Sequence, residues 1–505
     1  MKSNKIGDRA VGHLLFLFLL TSCHAQEKDD TNKYEHYLSE AHARGQFNGT
    51  ALVFDGGKVV YQGAFGIRSI DPIDSLDLNS QFRLASVSKQ FTAMAIMILK
   101  EQGKLNYDQD MRDFIPELPY SGITIRHLLH HVSGLPDYEP MMDENWKTEL
   151  KYDDPARYTD GNPDVIRMLV AKKPPVYFAP GEKWQYSNTG YNLLGTIVAK
   201  ASGVSFADFA QKYIFGPAGM SHSSFYDFVI GTDPNMPDRA YGFQVAWNRT
   251  DLIPADSHYL NRGLGEDGVY STVGDLLKWD RILYTDKLVP KATLEEAFKP
   301  GVLNNSDTTD YGFGWHLERS PTGARVVSHS GGWLSFSTYI FRAIDEDKCM
   351  VVLMNNSSKY FWPIVEGVKN ILYDSTYALP ALSIREVLGK DIAENGVEHA
   401  IAQYRTLKAE RASEFNITEG ALNILGYELL WAGRVDDAVA ILKLTMEEYP
   451  GSANVYDSYG DALLAKGDTA NALVNFKKAF AMDPALTATK EKIDALGADV
   501  VPKAK

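Results

Sequence analysis

The sequence predicts an α+β region followed by an all-α region, and three observations lead to this prediction. Four strand-like segments form two hairpin patterns: residues 50–54 with 58–64, and residues 335–341 with 348–354. Apolar side chains at helical spacing follow Lys89 without a breaker until Gly103. After residue 380 the pattern becomes helical throughout. With 505 residues, 45% of them hydrophobic, the chain is long enough for more than one domain.

The segment after Pro380 contains an internal repeat. Pairs of small, apolar or proline residues recur at a constant spacing: Gly426/Gly460, Leu429/Leu463, Gly433/Gly467, Ala438/Ala472, Leu442/Phe476 and Pro450/Pro484. Small residues where two helices cross, with a proline between units, resemble the tetratricopeptide pattern. We expect two units at 419–452 and 453–486, a degenerate helical pair within 376–418, and a capping helix within 487–505. A generic helical bundle is the alternative.

Ser86 and Lys89 form a Ser-x-x-Lys pair where an extended segment meets the first helical pattern. Residues three apart share a helix face, so the lysine amine can reach the serine hydroxyl. A serine nucleophile needs an adjacent base, and a lysine can be that base only if its pKa is lowered. Burial and the positive end of the helix dipole both favour this. Taken alone, the pair is more typical of a surface lysine beside a helix-capping serine.

Two further segments change this interpretation. Tyr186-x-Asn188 lies in a loop rich in Gly, Ser and Asn, and it supplies a phenol and a carboxamide. A phenol near a lysine cation can ionise and pass protons, while an amide can orient a carbonyl group. Residues 326–333 predict a short apolar strand that opens into glycines. Glycine there lets a substrate approach the backbone, where a free N–H can stabilise an oxyanion.

These three segments, in this order, resemble the motifs of the penicillin-recognising serine hydrolases, which include serine β-lactamases, DD-peptidases and related esterases. The Tyr-x-Asn form is similar to the class C β-lactamase branch and its esterase and D-aminopeptidase relatives. Supporting motifs lie at residues 131–135, 268–276 and 311–315. The resemblance covers about residues 36–375. It implies a β-lactamase/transpeptidase-like fold, in which helices cover an antiparallel sheet and the active site lies between sheet and helical lobe.

The resemblance also implies roles for individual residues. Ser86 would be the acylated nucleophile, and Lys89 and Tyr186 would share the acid–base work. Which of the two takes the first proton stays open, because coupled groups titrate as a pair. The backbone N–H groups of Ser86 and Gly332 would form the oxyanion hole. The remaining substrate-binding positions would be Asn188, His329, Ser330 and Gly331.

One departure bears on the substrate. Many members of the superfamily carry Lys-Thr-Gly where this chain has His329-Ser330-Gly331. A lysine there is a permanent cation that can hold a carboxylate, whereas an ordinary histidine is mostly neutral at physiological pH. We therefore expect an ester or amide hydrolase. A D-amino-acid peptidase, a DD-peptidase and a weak class C-like β-lactamase are the alternatives. A non-catalytic lipoprotein that binds through its repeats is an alternative of another class.

The first 22 residues are typical of a signal peptide, with three basic residues ahead of an apolar run too short to span a membrane. Leu20-Thr21-Ser22-Cys23 resembles a bacterial lipobox, so we expect a lipidated Cys23 and a polar tether over 23–35. An ordinary signal peptide with an incidental cysteine is the alternative. The expected location is the bacterial cell envelope, lipid-anchored to a membrane on its periplasmic or outer-surface side.

The remaining composition narrows the class. A net charge of −14 argues against a nucleic-acid partner. His127, His130 and His131 have metal-like spacing, but no thiol or carboxylate ligand accompanies them, so we expect no metal and no cofactor. Cys349 is predicted to be an apolar residue of a buried strand. The expected partners are a small-molecule or peptide substrate, the membrane, and a protein or peptide bound by the repeats.

Overall fold

The computed structural model describes residues 32–142, 161–226 and 236–499. These residues form two compact units. The first comprises the described residues up to Gln244 together with Pro254–Leu379, and the second comprises Val245–Ile253 and the described residues from Pro380. The predicted signal peptide, Cys23 and most of the predicted tether lie outside the described residues.

The strands, in chain order, are β1 Gly49–Asp55, β2 Lys58–Phe65, β3 Ile67–Ile70, β4 Ile73–Ser75, β5 Phe82–Arg83, β6 Ser224–Phe225, β7 Phe243–Val245, β8 Leu252–Pro254, β9 Val269–Ser271, β10 His316–Arg319, β11 Arg325–Trp333, β12 Phe336–Ala343, β13 Lys348–Met354, β14 Leu382–Ser383 and β15 Phe415–Asn416. The helices are α1 at 32–43, α2 Lys89–Glu101, α3 Ile125–Leu129, α4 Asn162–Lys172, α5 Asn188–Ser202, α6 Phe206–Ala218, α7 Val273–Ile282, α8 Lys291–Ala297, α9 Phe361–Leu372, α10 Ile384–Asn395, α11 Val397–Glu410, α12 Glu419–Trp431, α13 Val435–Glu448, α14 Ala453–Ala465, α15 Thr469–Met482 and α16 Thr487–Asp499.

The first unit is built on a six-stranded sheet with the order β10-β11-β12-β13-β1-β2. All of its neighbouring strands pair antiparallel. Both predicted hairpins are confirmed, since β1 pairs with β2 and β12 pairs with β13. The predicted α+β class is confirmed with them. β11 departs from the expectation because it continues through its glycines, which stay paired with Thr338 and Ser337 of β12.

The sheet is covered on both faces, because successive side chains of a strand point to opposite sides. In β13, Val351 and Leu353 join the larger core, which contains α2 and α5. Met350 and Val352 join a second core with α1 and α9. Burial on both faces explains why β13 is apolar along its length, and it includes the buried Cys349 as predicted.

Helix α1 corrects the predicted start of the domain. Residues 32–35 were expected to belong to the tether, yet they are the first residues of this helix. Tyr34, Tyr37 and Leu38 are almost fully buried on one face of it. Their spacing of three and four residues makes α1 amphipathic, and burial of that face stabilises the helix against the sheet.

Helix α2 is the central helix of the larger core, buried from Lys89 to Leu99. A helix that is apolar on all sides is typical of such a position, and it packs against α5. Among the described residues, no single helix combines the length and the apolar composition needed to cross a membrane. Taken together, α5 and α6 have the required length and apolar composition, but a bend of 77° separates the two helices.

The second unit consists mainly of successive helix pairs. α12 packs against α13, and α14 packs against α15. A Cβ at Gly426 would overlap Leu442, and one at Gly460 would overlap Phe476, so the repeated glycines lie where paired helices cross. Trp247, which no sequence pattern assigned to this region, packs against the buried side chains of α10–α13. Its carbonyl oxygen occupies the space that a Cβ of Gly389 would take.

Candidate active site

Ser86 lies in a short 3₁₀ turn, Ala85–Ser88, that joins β5 to α2. The central sheet supports this turn, because the Thr338 hydroxyl of β12 donates to the Leu84 carbonyl at 2.7 Å. Ala85 has a φ of 48°, in a region that residues with a side chain seldom adopt. Such strain persists only where the surroundings hold the backbone in place. The fold therefore constrains the position of the Ser86 backbone.

Gly331 of β11 allows this close approach. A Cβ at Gly331 would lie less than 3.0 Å from the Leu84 carbonyl oxygen and from Thr338 Oγ1. The neighbouring Gly332 is exposed, and a Cβ there would meet open space. The sequence predicts substrate contact for Gly331, but its neighbours in the structure are the backbone of Leu84 and the side chain of Ala85.

Lys89, the first residue of α2, is fully buried and lies 3.0 Å from Ser86 through its Nζ and the serine Oγ. Nζ also donates to Asn188 Oδ1 and to the Glu266 carbonyl oxygen, each at 2.9 Å. An ammonium group could donate all three bonds. A neutral amine could instead donate two of them and accept the third from the serine hydroxyl. The geometry therefore suits both protonation states that a proton carrier has to adopt.

The Tyr186–Asn188 segment precedes and begins α5. Ser187 caps the helix by accepting from the Gly190 N–H at 3.1 Å, which sets Asn188 in the first turn. Both polar atoms of the Asn188 carboxamide are hydrogen-bonded, since its Oδ1 accepts from Lys89 and its Nδ2 donates to Glu139 Oε1 at 2.8 Å. The Lys89 Nζ lies 4.8 Å from the centre of the half-buried Tyr186 ring. The structure thus brings Ser86, Lys89, Tyr186 and Asn188 together.

His329 lies beside this group but is only 1% exposed. Its Nδ1 is 2.6 Å from the Ser330 carbonyl oxygen, and its Nε2 is 2.8 Å from the Tyr311 hydroxyl. The first contact requires a proton on Nδ1, so Nε2 accepts from the tyrosine. Burial, with a smaller contribution from the nearby His316 and Lys89, lowers the pKa of His329 well below its ordinary value. The imidazole is therefore neutral, and both of its nitrogens are engaged within the protein.

A small cavity of about 30 Å³ adjoins the serine. Ser86, Asn188 and Gly332 share its lining, whereas His329, Ser330 and Gly331 do not line it. A larger cavity, of about 880 Å³, is lined by residues of α4 and α5 such as Ile166 and Ala199 and contains none of these side chains. The smaller cavity thus combines the Ser86 hydroxyl, the Asn188 carboxamide and the backbone of β11 at one place.

Acidic residues of this cavity were missed by the sequence reasoning. Glu139, Glu266 and Asp267 all line it. Burial raises the pKa of Glu266 to about 7, and burial followed by repulsion from Asp137 raises the pKa of Glu139. Asp267 pairs with the buried Arg83 at 2.7 Å. The signal available in the sequence was an acidic pair between two glycines, Gly265 and Gly268.

The three clustered histidines have separate structural contacts. The backbone N–H of Thr124 donates to His127 Nδ1 at 3.2 Å in the cap of α3, and that of Ser187 donates to His131 Nδ1 at 3.1 Å. His130 Nδ1 lies 3.1 Å from the Tyr311 carbonyl oxygen. Within residues 32–142, 161–226 and 236–499, no group of three or more His, Cys, Asp or Glu side chains is arranged to hold a metal ion.

Comparison with known proteins decides the family. The family model named Beta-lactamase matches residues 34–361, well over half of the chain. The chain belongs to the beta-lactamase family. Membership confirms the resemblance inferred from the motifs and the β-lactamase/transpeptidase-like fold over these residues, and this member of the beta-lactamase family is a serine hydrolase. The match ends before the helices that follow Pro380.

This member of the beta-lactamase family is similar to named proteins in sequence and in fold. Penicillin-binding protein 4* of Bacillus subtilis is 40% identical over 352 residues, which cover 68% of this chain and 75% of that protein. A penicillin-binding protein from Bacillus halodurans shares the fold, with a TM-score of 0.56 and 24% identity across 66% of this chain and 99% of that one. A D-amino acid amidase from Ochrobactrum anthropi SV3 does so with a TM-score of 0.55 and 23% identity across 68% and 98%.

Proposed function

We propose that this chain hydrolyses esters or amides through an acyl-enzyme formed on Ser86. The observation that carries the proposal is the 3.0 Å contact between the Ser86 hydroxyl and the buried Lys89 amine, beside a cavity that Gly332 also lines. A serine paired with a buried base is the arrangement that nucleophilic catalysis requires. Lys89 Nζ in turn lies 4.8 Å from the centre of the Tyr186 ring, so the second candidate for that base adjoins the first.

In the proposed first step, Ser86 Oγ attacks the carbonyl carbon while its proton passes to Lys89 or Tyr186. The backbone N–H groups of Ser86 and Gly332 donate to the developing oxyanion. The C–O or C–N bond then breaks, and the same base returns the proton to the leaving alcohol or amine. Water next attacks the acyl carbon and gives a proton to that base. The carboxylic acid leaves, and the base returns the proton to Ser86.

The state of His329 favours esters and amides over β-lactams. A buried, neutral imidazole supplies no fixed positive charge for a substrate carboxylate. Hydrolysis of D-amino-acid peptides is the second candidate. It is supported by the overlap in fold with a D-amino acid amidase and by the acidic lining of the cavity.

The proposal extends to the rest of the chain. The second unit serves as a tetratricopeptide repeat domain that binds a protein or peptide. The helix pairs α12/α13 and α14/α15 and the glycines at their crossings support this role.

Lipidation of Cys23 holds the protein in the cell envelope. The lipobox-like sequence supports this location.

Covalent labelling tests the nucleophile. The wild-type protein should react with a fluorophosphonate and gain the probe's mass on one peptide, the one that contains Ser86. Ser86→Ala should lose this label while its circular dichroism spectrum stays the same. Ser221→Ala, which removes an exposed hydroxyl outside the cavity, is the matched control and should label normally. Equal labelling of Ser86→Ala and the wild type would refute the assignment.

A further inference from the structure

Residues 131–135, one of the supporting sequence motifs, supply no group to the proposed chemistry. In the structure they lie beside the loop that leads to Tyr186. The N–H groups of Tyr177 and Gly181 donate to main-chain carbonyl groups of the motif, each at 2.8 Å. The first residue of the motif, His131, extends these contacts to Tyr186, one of the two candidates for the general base.

His131 is bonded to the backbone on both sides of Tyr186. The Gln185 N–H donates to the His131 carbonyl at 3.0 Å, and the Ser187 N–H donates to His131 Nδ1 at 3.1 Å. The imidazole also lies against the phenol ring of Tyr186, with ring centres 4.4 Å apart and planes at 36°. One residue thus fixes the main chain before and after Tyr186 and packs against its side chain.

The fold leaves His131 little freedom. The residue is 1% exposed, and its N–H donates to the Leu128 carbonyl of α3 at 3.3 Å. Its φ of 59° lies in the left-handed region, which few residues with a side chain adopt. Such a backbone persists only where its surroundings hold it, and such residues cluster at functional sites. The position from which His131 reaches the Tyr186 loop is therefore set by its surroundings.

The bond from Ser187 also fixes the protonation state of His131. Nδ1 accepts this bond, so the single proton of the neutral ring lies on Nε2. A second proton would make Nδ1 a donor facing the Ser187 N–H, and the bond would be lost. Burial, followed by repulsion from Lys89, lowers the pKa of His131 well below its ordinary value and so favours the neutral ring. Further titratable side chains around the ring are those of His130, Tyr191, Tyr311, His316 and His329.

We propose that His131 is a positioning residue, which acts through Tyr186 by holding the phenol beside Lys89 for proton transfer. This inference rests on the acyl-enzyme chemistry and on the acid–base role proposed above. Lys89 Nζ lies 4.8 Å from the centre of the Tyr186 ring, so a shift of the loop moves the phenol relative to the amine. His131 does not line the cavity beside Ser86. Its loss should therefore lower kcat and leave KM nearly unchanged.

Two replacements of similar shape test the proposal. His131→Asn keeps an acceptor oxygen close to the place of Nδ1, and asparagine tolerates the left-handed backbone. His131→Leu has the same branched outline without an acceptor. For p-nitrophenyl acetate, kcat should fall on the order of a hundredfold in His131→Leu, because a displacement of about 1 Å costs about that much. His131→Asn should restore most of kcat, and equal losses in the two variants would overturn the proposal.

A double-mutant cycle separates positioning from a general loss of structure. In a Tyr186→Phe background, His131→Leu should slow fluorophosphonate labelling of Ser86 by less than about threefold, since the phenol through which it acts is already absent. In the wild-type background the same change should slow labelling on the order of a hundredfold. Equal factors in both backgrounds would show that His131 does not act through Tyr186.

His127→Leu is the matched control. It removes a bond of the same kind, from the Thr124 N–H to His127 Nδ1 at 3.2 Å, and should keep the wild-type kcat. A measurement on the wild type covers the case in which His131→Leu does not fold. Nitrogen-15 NMR should show a His131 ring with its proton on Nε2 that stays neutral below about pH 6, where an ordinary histidine becomes a cation. A proton on Nδ1 would overturn the proposal, whereas absence of any Ser86 labelling in the wild type would overturn the hydrolase chemistry itself.

Discussion

Replacing Gly331 with alanine tests whether the central sheet positions the Ser86 turn. The added Cβ would lie less than 3.0 Å from the Leu84 carbonyl oxygen and Thr338 Oγ1, and 3.1 Å from the Ala85 Cβ. None of these neighbours can move freely. The Leu84 N–H donates to the Val269 carbonyl at 2.8 Å, and the Leu84 carbonyl accepts from Thr338. The turn therefore has to shift away from β11.

We expect two consequences of Gly331→Ala. Overpacking of a buried contact lowers the free energy of unfolding by roughly 1–3 kcal/mol. A displacement of about 1 Å at the nucleophile slows the chemistry by on the order of a hundredfold, because the reacting atoms are no longer aligned. Thermal unfolding followed by circular dichroism measures the first effect, and the rate of fluorophosphonate labelling measures the second.

Gly332→Ala is the matched control for stability. It adds the same methyl group at the next position of the same strand, where the Cβ meets open space. Its unfolding temperature should equal that of the wild type. If Gly331→Ala is as stable and as reactive as the wild type, contact with β11 does not position the Ser86 turn.

Three further outcomes are expected. Tyr186→Phe should keep the fold and lose ester turnover on the order of 10²–10⁴-fold, the usual contribution of a positioned acid or base, and a near-wild-type rate would remove Tyr186 from the mechanism. Cys23→Ala should move the protein out of the membrane fraction of its host, and retention there would contradict the lipobox interpretation. The Glu266 carboxyl should make the free energy of unfolding fall as pH rises. Burial raises the pKa of this carboxyl to about 7 in the folded protein, from 4.5. Below pH 4.5 the group is neutral in both states and does not destabilise the fold, whereas the destabilisation grows as pH increases through 7. Relative to Glu266→Gln, the free energy of unfolding of the wild type should therefore drop by about 3 kcal/mol between pH 4 and pH 8, and parallel stability curves would show that the carboxyl does not titrate in this range.

Much of the candidate site was predictable because its motifs are short. Ser86 and Lys89 are three residues apart at the start of α2, a spacing that brings their side chains together. Tyr186 and Asn188 are two residues apart at the start of α5, so one short segment carries both. The hairpins at β1–β2 and β12–β13 were predictable for the same reason, since each is closed by a turn of a few residues. The membership of the family and the serine hydrolase class followed from the order of these motifs.

Other features could not be predicted from local patterns. Gly331 looked like a substrate contact, but its packing against Leu84 involves residues that are far apart in the chain. The burial of His329 beside the Tyr311 hydroxyl also depends on a long-range contact. Trp247 joined the second unit although its segment lies within the sequence of the first. The domain begins at residue 32 rather than at the predicted residue 36, because Tyr34 is buried against the sheet.

By itself, the sequence determined the chemical groups of the site, the α+β and helical segments and the 34-residue repeat, because these depend on spacing along the chain. Only the tertiary structure decided the electrostatics of the cavity. Glu139 and Glu266 lie far apart in sequence, and neither has a spacing that predicts a function. Their raised pKa values arise first from burial and then from charges brought close by folding, and those are properties of contacts rather than of sequence order.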